Sequence, residues 1–198
     1  MKFFNISKFD IPNILTIGRL LSAPLFVIIF YFNNDLMKIF SGLIFIFAGI
    51  TDFLDGYLAR YWKAHSMLGR ILDPIADKLI VVAAIVMLIF HNKIEGLNIF
   101  AAMAILLREV IISGLREALS SLKFDLQVSN IGKIKTALQI LSIVFLIFGD
   151  VEIFAKLFSN FNYIEMIGLQ IFWISAILSI YSGIEYVQKS IKFLKKIN

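Results

Sequence analysis

The sequence predicts an all-α fold: a polytopic membrane protein with six transmembrane helices, forming a single domain over 1–198. Three observations predict it. Sixty per cent of the 198 residues are hydrophobic, and mean hydropathy is +0.87. Apolar runs long enough to cross roughly 30 Å of hydrocarbon recur along the whole chain. Basic residues crowd into alternate connections, as the positive-inside rule requires. At ~20 residues per span the chain accommodates six spans and short turns, with no Pro/Ser/Gly-rich linker and no residue surplus for a soluble domain. Cysteine is absent, which excludes a disulfide framework and thiolate metal sites, so the fold must rest on helix packing.

The first span is read at 12–32, after Lys2 and Lys8. It has no small-residue cleavage site and more spans follow, so it reads as a retained helix and not a signal peptide. The second, 37–59, ends in a pair of aspartates, and the third, 73–90, begins with another pair. The fourth, 97–116, ends in LLREVIISGLREAL; the fifth, 134–149, begins after GKIK; the sixth, 167–187, runs into a lysine-rich tail. All six are dominated by Ile, Leu, Phe, Val and Ala, and 151–161 has helical apolar spacing suited to the outer interface. The turns around 33–38, 91–96 and 150–166 hold only Lys38, Lys93 and Lys156. The N-terminus, the 60–72 and 116–135 segments and the tail hold most of the remaining basic residues, which places them, and both termini, in the cytoplasm. A net charge of +5 scattered in this way reads as topology and not as a nucleic-acid surface.

Four acids stand out. Asp52 and Asp55 are three apart near the inner end of the second span, and Asp73 and Asp77 are four apart at the start of the third. Either spacing puts a pair on one helical face. A short connection makes the two helices antiparallel neighbours, able to aim all four carboxylates into one volume. Such a cluster cannot stay fully ionised without cations. Oxygen-only ligation suits hard ions, so two Mg²⁺ or Mn²⁺ are expected, a two-metal centre for phosphate chemistry. Solvated aspartates paired with Arg60, Arg70 and Lys78 are the plainer alternative, disfavoured by the cost of charges placed deep in the membrane. Gly56, Ala59 and Gly69 punctuate the same stretch, where something flat or bulky must approach the backbone, or where helices pack.

The run Asp52-x2-Asp55-Gly56-x2-Ala59-Arg60-x8-Gly69-x3-Asp73-x3-Asp77 resembles the complete signature of the CDP-alcohol phosphotransferases. Members of that family are six-helix membrane enzymes, usually homodimers, that move a phosphoalcohol or phosphatidyl group from a CDP-linked donor to a hydroxyl and release CMP. The resemblance implies that Asp52, Asp55 and Asp73 hold the metal ions, with Asp77 beside them as the base that takes the acceptor's proton. It places Gly56, Ala59 and Gly69 at the nucleotide and Arg60 near the donor phosphates.

The acceptor is read from the other membrane-embedded charges. Arg108, Glu109, Arg116 and Glu117 occupy the end of the fourth span; Lys133, Lys135, Thr136 and Gln139 begin the fifth. Arg108 and Arg116, eight apart, differ by about 80° around the helix, close enough to serve one pocket. A basic pocket wants an anionic acceptor, most simply one carrying a phosphate. The runs Arg108-Glu109 through Gly114-Leu115-Arg116-Glu117 and Gly132-Lys133 through Gln139, with Pro12, Asn13, Thr16 and Arg19, are similar to the branch of the family that uses glycerol 3-phosphate. The likeness covers about two-thirds of the chain, Pro12 to Gln139. It implies transfer of the phosphatidyl group from CDP-diacylglycerol to sn-glycerol 3-phosphate in a bacterial-type inner membrane, the active site facing the cytoplasm. Lysines 133 and 135 also satisfy topology alone, whereas Arg108 sits inside a span where an unpaired charge is expensive.

Other classes remain open at this point. Sibling enzymes use inositol phosphate, serine or phosphatidylglycerol as acceptor. An intramembrane prenyltransferase also uses aspartate-rich helices with Mg²⁺, but resembles a larger bundle with two separated acidic motifs. A cation transporter needs polar residues through the full bilayer, and here the polar clusters map to one side. GKIKT lacks the glycine spacing of a P-loop.

Overall fold

The computed structural model describes residues 10–62, 67–122, 129–153 and 161–197; side chains at 10–14, 52–62, 67–71, 73, 74, 121, 161, 162, 196 and 197 lie outside that description. Six long helices result: α1 (Asp10–Tyr31), α2 (Asp35–Trp62), α3 (Met67–Phe90), α4 (Asn98–Ser121), α5 (Asn130–Phe148) and α6 (Phe161–Ile197). The interfacial segment expected at 151–161 falls mostly outside the described residues. The chain divides into two compact units, Met1–Met87 and Leu88–Asn198.

In the first unit α1 packs against α2. Their connection is tight because Asn33 takes a left-handed φ of 49°, which asparagine tolerates, and Asn34 caps α2 by accepting the Met37 N–H at 2.9 Å. Phe26 stacks on Phe30, ring centroids 5.3 Å apart, and meets Phe45 of α2 at 6.2 Å. An apolar groove runs between the two helices, lined by Leu21, Leu25, Leu43 and Phe47 together with Arg19 and Thr51.

In the second unit α6 packs against both α4 and α5. Small residues let the backbones approach: a Cβ on Gly168 would meet the Phe145 Cβ at 3.1 Å and Leu146 at 3.2 Å. Ser175, Ser179 and Ser182 of α6 are fully buried. The hydroxyls of Ser175 and Ser182 donate to carbonyls one turn back in the same helix, Phe172 at 2.8 Å and Ser179 at 3.1 Å. Such local bonds keep hydroxyls satisfied where no water is available. At the other end of the unit Lys93, in the α3–α4 turn, bridges Asp150 at 2.7 Å and Glu165 at 3.4 Å, tying that turn to the end of α5 and the start of α6.

Among the described residues three stretches are long and apolar enough to cross a membrane, Asn98–Ser120, Asn130–Phe148 and Tyr163–Lys195, and Leu15–Tyr31 adds a shorter one. Leu21, Phe47, Val110 and Ile177 are each 60% exposed or more, as side chains facing hydrocarbon are. The protein is an integral membrane protein.

Candidate active site

The helical backbone runs unbroken through both aspartate pairs: Asp52 and Asp55, with Gly56, Ala59 and Arg60, are on α2, and Gly69, Asp73 and Asp77 are on α3. Of these, Asp77 alone has a described side chain. The Nη1 of Arg19, on α1, donates to its Oδ1. The pair joins residues 58 apart in sequence, and Arg19 is buried to 2% exposure whereas the Asp77 side chain keeps 41%. The arginine is therefore a sealed anchor that presents a carboxylate still open on one side. Thr16, one turn before Arg19, is also buried. Asn13 belongs to the residues whose side chains are not described.

The second unit assembles the cationic residues into one network. The Nη1 of Arg108 donates to Glu109 at 3.1 Å and its Nη2 to the Ser182 hydroxyl of α6 at 3.2 Å. Lys135 donates to the same Glu109 oxygen and approaches Gln139 Oε1 at 3.4 Å, both lysine and glutamine being buried on α5. The Nη2 of Arg116 donates to the Tyr186 hydroxyl at 3.0 Å, and the guanidinium carbons of Arg108 and Arg116 lie 5.7 and 5.2 Å from the centre of that ring. Gly183 makes room for this, since a Cβ there would meet the Arg108 Cγ at 3.2 Å. Among the described residues, three cations stand against one carboxylate, a surplus of positive charge. The Nε atoms of Arg108 and Arg116 are buried with no hydrogen-bond partner among the described residues.

Not every residue expected in this pocket joins it. Lys133 is exposed, because two positions along a helix is a turn of about 200° from Lys135. Thr136 is exposed too, and its hydroxyl donates to the Gly132 carbonyl at 3.0 Å, within its own helix. Conversely, Ser182, Gly183 and Tyr186 on the last helix touch both arginines and were not singled out by sequence. The available signal was a buried-type serine spacing at 175, 179 and 182 followed one turn later by a tyrosine.

Charge is expensive inside apolar helices, so this cationic network marks a functional site of the membrane protein, and its family makes that protein an enzyme. The profile of the CDP-alcohol phosphatidyltransferase family matches residues 9–181, and the chain belongs to that family. It is similar over nearly its whole length to proteins named CDP-diacylglycerol–glycerol-3-phosphate 3-phosphatidyltransferase. The one from Rickettsia bellii is 38% identical over 184 residues, covering 93% of this chain and 97% of that protein. That from Haemophilus influenzae is 42% identical over 183 residues, covering 91% and 93%. That from Cereibacter sphaeroides is 36% identical over 217 residues, covering 95% and 98%.

Proposed function

We propose that the chain transfers the phosphatidyl group of CDP-diacylglycerol to sn-glycerol 3-phosphate, giving phosphatidylglycerophosphate and CMP. Family membership and the names of its relatives support the reaction; the observation that carries the acceptor is the pair of buried arginine Nε–H donors without partners among the described residues. A buried unmet donor costs about 1–3 kcal/mol, and a phosphate monoester supplies both the acceptor atoms and the negative charge that the network lacks. In this reading Arg108, Arg116 and Lys135 bind the acceptor phosphate, Gln139 steadies Lys135, and Lys133 adds positive potential at the surface. The apolar groove between α1 and α2 supports a donor that carries acyl chains.

Asp52, Asp55 and Asp73 are all-oxygen donors in a chain without cysteine, a set that fits two Mg²⁺ or Mn²⁺. Bound there, the ions would offset the charge of the donor pyrophosphate and the CMP that departs. Gly56, Ala59, Gly69 and Arg60 border the donor's nucleotide and phosphates. Asp77, oriented by Arg19, accepts the proton of the attacking hydroxyl; Asn13 and Thr16 support that end of α1. The hydroxyl oxygen bonds to the phosphorus that bears diacylglycerol, the pyrophosphate P–O bond breaks, and CMP leaves with the electron pair. All six helices span the bilayer as one catalytic domain in a bacterial-type inner membrane, with the basic connections and the reaction on the cytoplasmic side, and the protein works as a homodimer.

The test is acceptor choice. Purified protein given labelled CDP-diacylglycerol should release CMP with glycerol 3-phosphate and not with inositol phosphate, serine or phosphatidylglycerol; release with one of the latter alone would reassign the acceptor.

A further inference from the structure

We infer that the last helix is a positioning element for the acceptor, with Tyr186 and Ser182 holding Arg116 and Arg108 in the register that receives a phosphate; the inference rests on the acceptor reading above. The two arginines are eight residues apart on α4, about 12 Å along its axis, and their guanidinium groups nevertheless converge on a single ring. Tyr186 is 2% exposed, so the ring is fixed by the core it belongs to, with Ile112 and Leu119 of α4 around it. Its face attracts both cations. Its hydroxyl oxygen accepts two hydrogen bonds at once, from Arg116 Nη2 at 3.0 Å and from the backbone N–H of Ser129 at 3.1 Å. Ser129 is the residue that caps α5 by accepting the Gly132 N–H, so one phenol oxygen sets the start of the helix that carries Lys135 as well as the direction of Arg116. Ser182, one turn earlier, holds the other arginine through Nη2.

Two like charges drawn to one ring repel each other, and among the described residues the carboxylate bonded to this pair is Glu109, on Arg108 and shared with Lys135. Arg116 is held by a neutral partner, tyrosine, and Arg108 by serine together with the carboxylate that it shares with Lys135, so net positive charge remains available to a ligand. An arginine left loose would lose much of its rotamer freedom on binding; holding it beforehand moves that cost from binding to folding. A positioning role of this kind predicts weaker acceptor binding, without loss of donor binding, when the neutral partners are removed.

The experiment is steady-state kinetics of CMP release with each substrate varied. Tyr186→Phe keeps the ring and its packing and deletes the phenol oxygen; the KM for glycerol 3-phosphate should rise about tenfold or more, with the KM for CDP-diacylglycerol and kcat within about twofold of wild type. Ser182→Ala should shift the acceptor KM in the same direction, whereas Ser179→Ala, equally buried but not bonded to an arginine, should not. An unchanged acceptor KM in both Y186F and S182A, or an equal rise in both substrates' KM values, overturns the inference, and S182A alone decides it if Y186F does not fold. Arg116→Gln in the same assay separates two failures. If it raises the acceptor KM while the Tyr186 and Ser182 variants do not, the positioning role is wrong and the acceptor site stands; if none of the three moves it, both fall.

Discussion

Glu109→Gln removes the single described carboxylate that balances Arg108 and Lys135 while keeping size and a carbonyl oxygen as acceptor. Charges about 4 Å apart attract by about 4 kcal/mol at an effective dielectric constant near 20. Deleting one partner of a buried pair outright costs about 3–5 kcal/mol. The amide retains part of the hydrogen bonding and the Glu109 side chain is 18% exposed, so the expected loss of stability is about 2–3 kcal/mol. The second half of the prediction concerns rescue. A phosphate dianion bound between the arginines restores the missing negative charge, so glycerol 3-phosphate should protect the variant more than it protects wild type. Ligand at about 100 times its Kd contributes about 2.7 kcal/mol by mass action, enough to be seen against the loss. The assay is the midpoint of heat denaturation of detergent-solubilised protein, followed by size-exclusion recovery with and without glycerol 3-phosphate. A variant as stable as wild type without ligand, or one that the acceptor protects less than wild type, refutes the reasoning.

Asp73→Asn should leave the protein folded in membranes and remove nearly all CMP release, as should a chelator acting on wild type; release at the wild-type rate from the variant contradicts the ligand assignment. Lys93→Met leaves Asp150 and Glu165 facing each other without their shared cation, and should lower stability by about 2–4 kcal/mol while sparing the KM of both substrates, read by the same heat assay and by kinetics. Gly183→Ala places a methyl 3.2 Å from the Arg108 Cγ; the acceptor KM should rise about three- to tenfold through displacement of that side chain, with recovery of folded protein unchanged.

Among the described residues the order of the six long helices was legible because apolar length announces them. Helix ends were not, because the end of an apolar run is a property of the solvent and the end of a helix is a property of the backbone. The fourth helix continues past Arg116 to Ser121 through residues of good helical propensity. The fifth begins at Asn130, four residues before its apolar run, because Ser129 caps it there. The sixth extends to Ile197, beyond the apolar limit at 187, and carries an exposed Lys189–Glu185 pair at 2.6 Å one turn apart. The candidate site was legible where charge stands out against hydrocarbon: Arg108, Glu109, Arg116 and Lys135. Tyr186 and Ser182 were missed because a tyrosine or serine in an apolar helix reads as packing, and their partners lie 70 and 74 residues away. The split between Lys135 and Lys133 was available from helical geometry alone, and topology concealed it by accounting for both.

At 1.5 Å per residue the 37 residues of α6 measure about 55 Å, nearly twice the thickness of the hydrocarbon layer. The surplus must emerge, and its lysine-studded final turns are the portion suited to water. Counting back from Ile197, Tyr186 lies about 16 Å from the tip, in the third of the helix next to its lysine-rich end. A sugar phosphate dissolved in the surrounding fluid would then reach the arginines without entering oil, while a diacyl substrate would arrive sideways along the membrane, so the two reactants need never share a doorway.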